Sequence, residues 1–150
     1  MASPKWEHTV ANLTVPAKPA GLWTLAVPYI PASSIVKVMA SGTWNYAASG
    51  ACGPDGARTA VGGLTQANCL CEDALVGSLI GKIGGGSADA SGTVFGIGSH
   101  GIVQLTAEDK GGALFLGIND EIGGIDDNAG GLTVQVFVAD APPAPPAEES

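Results

Sequence analysis

Charge is scarce in this chain of 150 residues: Asp, Glu, Lys and Arg together make up 13%, with 14 acidic residues against 6 basic ones. A net charge of −8 excludes a phosphate backbone as partner, because nucleic-acid binding requires a basic face. It disfavours anionic membranes for the same reason. Few charges also leave little material for the solvated faces of surface helices. No apolar run approaches the ~18 residues of a membrane span, and no basic start precedes an apolar core, so neither membrane insertion nor a Sec signal is expected. Three cysteines are an awkward number for a disulfide scaffold. Cys69 and Cys71 would share one face of a strand, where either is able to pair with Cys52 in an oxidising compartment, and free buried thiols fit equally well. Zinc would need a fourth ligand, and no His lies close by in sequence.

What the chain does have is 45% hydrophobic residues, 23 glycines and 10 prolines. That mixture points to short strands with frequent turns. Strand patterns start near Trp6–Val10 and recur at Leu22–Val27, Ile35–Ala40 continuing into Ser41–Tyr46, Ala74–Ile83, Thr93–Ile97, Ile102–Thr106, Ala113–Asn119 and Leu132–Ala139. In the last of these, Leu132, Val134, Val136 and Val138 alternate with Thr133, Gln135 and Phe137, as expected of one buried face. Ala74–Ile83 reads as a buried strand whose glycines mark a close backbone approach. About eight strands without an amphipathic helix predict an all-β fold, a small antiparallel β-sandwich of jelly-roll type spanning residues 1–140. Residues 141–150, rich in Pro, form a tail or linker that cannot pair in a sheet.

Between the last two strands lies a glycine-rich acidic loop containing Asp120, Glu121, Asp126, Asp127 and Asn128. Carboxylates, an amide oxygen and turn carbonyls within a few residues are the ligand types that calcium prefers. The spacing is not that of an EF-hand. A second long loop, from Ala47 to about Asn68, exceeds the length at which loops are usually functional. Gly96-Ile97-Gly98-Ser99-His100-Gly101 spells a dinucleotide-binding motif, but a strand pattern follows where the chemistry needs a helix N-terminus, which discounts it. His8 and His100 read as surface or hydrogen-bonded residues, and Trp6, Trp23 and Trp44 as core or interface. A glycosidase pair of Glu121 and Asp126 would need a deep cleft that so small a domain rarely provides, so no enzyme is expected.

Four segments carry a family resemblance: Gly42-Thr43-Trp44-Asn45-Tyr46, Gly53-Pro54-Asp55-Gly56, the run from Asp73 to Gly84, and Asn119-Asp120 through Asn128-Ala129-Gly130. In that order, they resemble the calcium-dependent, galactose-binding bacterial lectins of the LecA (PA-IL-like) type. The resemblance implies one Ca²⁺ per subunit, held by the main-chain carbonyls of Tyr46 and Gly124, the carboxylates of Asp120 and Asp127, and the side-chain oxygen of Asn128. It also implies glycan partners of galactoside type, a homo-oligomer, and an extracellular or cell-surface location. Asp120 and Asp127 would take hydroxyl protons of the sugar, with Glu121 beside them.

This chain departs from the family pattern in several places. Glycine stands at 124 where the family has Thr, and carbonyl ligation tolerates any side chain. Asp at 127 replaces an amide and adds charge, so that protonation of either carboxylate would remove a ligand. The sugar-gripping His of the long loop is absent; Gln66 is the candidate stand-in for its Gln, with Thr65 and Asn68 as other candidates. The rival reading is a LecA-like structural module that assembles into oligomers or filaments with calcium as a staple.

Overall fold

The computed structural model describes residues 9–18, 23–31, 34–47, 50–57, 69–84, 93–105, 111–120 and 128–140. Within them the chain is all β, with nine strands in two antiparallel sheets. These are β1 (Thr9–Pro16), β2 (Thr24–Ile30), β3 (Ser34–Ala47), β4 (Gly50–Cys52), β5 (Leu79–Ile83), β6 (Thr93–Gly96), β7 (His100–Gln104), β8 (Gly112–Ile118) and β9 (Ala129–Asp140). One sheet has the order β1-β9-β3-β4, with β7 pairing β3 alongside β4; the other runs β2-β8-β5-β6.

The long β3 is the spine of the larger sheet. One of its edges pairs β9 from Ser34↔Asp140 to Asn45↔Ala129, and the other is shared by β7 and β4. Alternation decides which side chains meet the second sheet. Val36, Val38, Trp44 and Tyr46 of β3 and Leu132, Val134 and Val136 of β9 point inward onto Leu79 and Ile83 of β5 and Leu114, Leu116 and Ile118 of β8. Full burial of such side chains contributes about 1.5–3 kcal/mol each before entropy is counted.

The smaller sheet also covers its outer face. Ile80, Phe115, Trp23 and Cys71 form a second apolar cluster there. Lys82 projects into it fully buried, its Nζ 5.2 Å from the Trp23 ring centre and 5.1 Å from that of Phe115. The two ring faces offset part of the desolvation of the ammonium group.

Several expected boundaries shift. The β2 strand runs on through Pro28 to Ile30, because it is an edge strand paired only with β8 and its register slips between Val27 and Ile30, where a residue without an N–H is tolerated. The fifth strand begins at Leu79 and not at Ala74. Residues 74–78 are turns, with the carbonyls of Ala74 and Leu75 engaged by the side chain of Asn119 and Ser78 N–H bonded to Leu75 O. The close approach expected at its glycines is made by side chains, not by backbone: a Cβ on Gly81 would meet Phe95 Cε2 at 2.7 Å. A short strand, β4, sits inside the segment expected to be a continuous loop. Trp23 and Trp44 are core residues, while Trp6, His8 and the 141–150 tail lie outside the described residues.

Candidate functional site

Three buried polar residues, Asn119, Asp120 and Asn128, lie toward one end of the sandwich. Asn119 and Asp120 follow β8 directly and are fully buried, and Asn128, immediately before β9, is 6% exposed. The β3–β9 ladder ends at Asn45↔Ala129, so Tyr46 and Asn128 are the next residues along the two paired segments at that end. The Tyr46 ring is wedged against two glycines. A Cβ on Gly50 would stand 2.6 Å from its Cζ, and one on Gly77 would stand 3.0 Å from its Cδ1.

Asn128 is oriented by its own amide: Nδ2 donates to the Ala17 carbonyl at 3.1 Å. The opposite atom, Oδ1, is buried and accepts no hydrogen bond among the described residues. An acceptor buried without a donor costs about 1–3 kcal/mol unless something supplies positive charge. Asp120 fixes its neighbours through its backbone, with its carbonyl accepting from Leu70 N–H at 3.1 Å. A fully buried carboxylate likewise calls for compensation by a cation or several donors.

Of the residues singled out from the sequence, the structure thus gathers Tyr46, Asp120 and Asn128 in the same end of the fold. Glu121, Gly124, Asp127 and Gln66 lie outside the described residues. Among the described residues no group of three or more His, Cys, Asp or Glu side chains comes together. The described residues at this end offer carboxylate, amide and carbonyl oxygens, which suit a hard ion such as Ca²⁺ and not a soft one. The orphaned Asn128 Oδ1 and the buried Asp120 fit such an ion.

Sequence reasoning missed the scaffold beneath these residues. Asn119 Nδ2 lies 2.8, 2.9 and 3.1 Å from the carbonyl oxygens of Cys71, Ala74 and Leu75, and its Oδ1 accepts Cys71 N–H at 2.8 Å. Its carbonyl accepts Gly77 N–H at 2.7 Å. Gly77 O in turn accepts the indole N–H of Trp44 at 2.7 Å and the Cys52 thiol at 3.4 Å. Burial pushes the Cys52 thiol above its ordinary pKa, partly opposed by its hydrogen bonding with Trp44. All three cysteines are free thiols.

Elsewhere, a shallow cavity of about 370 Å³ on the outer face of the larger sheet is lined by Asn12, Met39, Ser41, Ser99, Thr133 and Gln135. It contains no ionised side chain, so it is not where a cation would sit. The Gly98–Ser99 turn at its rim is tied down by Asp55, whose carboxylate accepts Ser99 N–H at 2.8 Å and Ser99 O–H at 3.1 Å. With β7 following this turn directly, the dinucleotide spelling has no helix to serve it.

Comparison with solved structures finds a fold neighbour described as the N-terminal domain of EclA, a PllA-like lectin. The two superimpose with a TM-score of 0.62 at 21% sequence identity, over 88% of this chain and 98% of that one. The chain shares that domain's fold. No family model and no curated protein matches it. The shared fold is a two-sheet sandwich in which the Tyr46, Asp120 and Asn128 end lies between the last two strands and the end of β3.

Proposed function

We propose that this chain is a calcium-dependent carbohydrate-binding protein, a lectin without enzymatic activity, with galactose-type sugars as its ligands. The observation that carries the reading is the buried Oδ1 of Asn128, which has no hydrogen-bond partner among the described residues, at the end of the sandwich that also holds the fully buried Asp120 and Tyr46 near the end of β3. Tyr46 and Gly124 would contribute carbonyl oxygens, Asp120 and Asp127 carboxylates, and Asn128 its amide oxygen. Similarity of fold to a lectin domain supports the reading.

Sugar hydroxyls are well hydrated, so a site must replace their water with contacts of equal strength. A bound Ca²⁺ supplies a fixed charge that polarises two neighbouring hydroxyl oxygens. Asp120 and Asp127 would accept the hydroxyl protons, with Glu121 and Gln66 as further candidate acceptors and donors. Recognition therefore depends on the cation, and multivalent display on an oligomer would raise weak single-site affinity into useful avidity.

Calorimetric titration of calcium into wild type and Asp120→Ala, followed by a glycan array with and without chelator, tests the proposal. Wild type should bind calcium and chelator-sensitive galactosides, and Asp120→Ala neither. An Asp120→Ala isotherm equal to that of wild type refutes the cation assignment. Calcium binding with an array blank under both conditions refutes the sugar assignment and favours a structural role for the ion.

A further inference from the structure

Asn119 and Asp120 are adjacent in sequence and both fully buried, yet they face different tasks. Every polar group of Asn119 is committed within the protein. The side-chain amide closes on the backbone of Cys71, Ala74 and Leu75, its N–H donates to Ser78 O at 2.8 Å, and its carbonyl takes Gly77 N–H at 2.7 Å. Gly77 lies at φ +84, and a Cβ there would stand 2.6 Å from Cys52 Sγ. The carbonyl of the same residue receives the Trp44 indole N–H. Gly77 is thus a joint between two parts of the chain that no ladder connects: the end of β8, and the β3–β4 hairpin bearing Trp44, Tyr46 and Cys52.

We propose that Asn119 is a positioning residue for the cation site, fixing Asp120 against Tyr46 through the Gly77 joint. This rests on the cation reading above. A metal site needs its ligands held to within a fraction of an ångström before the ion arrives, and loss of supporting hydrogen bonds typically lowers metal affinity about 10–100-fold. Two of the proposed ligands sit on elements from opposite sheets, Tyr46 on β3 and Asp120 just after β8. The bonds through Asn119 and Gly77 form a polar link between those elements at this end. Asn128, by contrast, is aligned by the β3–β9 register and by Ala17, and does not depend on Asn119.

The test compares calcium affinity, by calorimetry at a temperature where every variant is folded by circular dichroism, among wild type, Asn119→Ala, Trp44→Phe and Leu116→Ala. Trp44→Phe removes the indole donor to Gly77 together with part of the ring volume, and keeps an aromatic ring in the core, so it remains informative should Asn119→Ala not fold. Leu116→Ala destabilises the core from a side chain that takes no part in the joint. The expected result is a 10–100-fold loss of affinity for Asn119→Ala, a smaller loss of about 3–10-fold for Trp44→Phe, and none for Leu116→Ala. Wild-type affinity in a folded Asn119→Ala, or in Trp44→Phe, overturns the proposal while leaving the cation site standing. Equal losses in Leu116→Ala overturn it too, by showing that affinity follows global stability. Absence of calcium binding in wild type removes the cation reading and this proposal together.

Discussion

Replacing Gly77 by Ala is the sharpest perturbation available at the joint. Its φ of +84 is a conformation that costs an L-residue about 1–2 kcal/mol. The added methyl would also lie 2.6 Å from Cys52 Sγ and 3.0 Å from Tyr46 Cδ1, contacts that force side chains or backbone to move. Overpacking of this kind costs about 1–3 kcal/mol. The sum is about 2–5 kcal/mol, a large fraction of the stability of an ordinary domain. The two terms separate in a double-mutant cycle. Cys52→Ala removes the sulfur that the methyl strikes, so Gly77→Ala should cost about 1 kcal/mol or more less in that background, while the backbone term persists. Equilibrium urea unfolding, read as midpoint and slope, measures all four proteins. A cost below about 1 kcal/mol for Gly77→Ala, or a cycle that closes at zero, would refute the reasoning from close contact.

Two further predictions concern buried ionisable groups. Phe115→Leu removes one of the two rings that face the Lys82 ammonium, and should cost about 2 kcal/mol, falling below about 1 kcal/mol in a Lys82→Met background; equal costs in both backgrounds, by urea unfolding, would show that the ring contributes only packing. The raised pKa of Cys52 means that the folded state holds its thiol proton more tightly than the unfolded state does. Its contribution to stability is therefore fully present below the ordinary thiol value of 9.0 and is lost as pH rises through the folded value. Thermal midpoints across that alkaline range should fall in wild type and fall less in Cys52→Ala, and parallel curves would remove the thiol as the cause.

The strands that sequence reading placed best are those whose alternation is undisturbed. In β9, Leu132, Val134 and Val136 are fully buried and Thr133 and Gln135 exposed, as a period of two requires. Strand β3, read as Ile35–Ala40 continuing into Ser41–Tyr46, is carried past the polar Ser41, Gly42 and Thr43 by pairing with β9 without a break from Ser34 to Asn45. Segment 74–78 looked like strand because Leu75 and Val76 are apolar and run on into Leu79, but it is turned aside by the bonds of Ser78 to Leu75 O and by Asn119, 44–45 residues away. Bonds of that span leave no local signature. Asp120 and Asn128 stand out in the sequence because oxygen-bearing side chains in a glycine-rich loop are visible as residue types, whereas Tyr46, proposed to act through its carbonyl, enters only through the family resemblance. Asn119 and Gly77 do not stand out, since an Asn beside an Asp and a Gly inside an apolar run carry no sign of what they hold.

The same hydrogen bonds bear on whether a cation at the proposed site would act as staple or as ligand holder. A structural ion typically organises groups that have no other means of order, so that removing it unfolds the domain. Here the end of β8 is fastened by the side chain of Asn119, by Leu70 N–H on Asp120 O and by Gly77, all without a cation. Tyr46 is held by its ring packing against Gly50 and Gly77, and Asn128 by Ala17. Ligands already ordered by the chain need little of the ion's binding energy for folding, and that energy remains for holding a ligand at an open coordination position. Chelator-treated protein should therefore keep its β-sheet circular dichroism and its cooperative thermal transition, and calcium should stabilise it only as far as simple ligand linkage requires, about 2.7 kcal/mol at a hundredfold excess over Kd. A protein that loses its cooperative transition in chelator would instead be one in which calcium is a staple, and the hydrogen bonds of Asn119 would then be a consequence of metal binding and not its preparation.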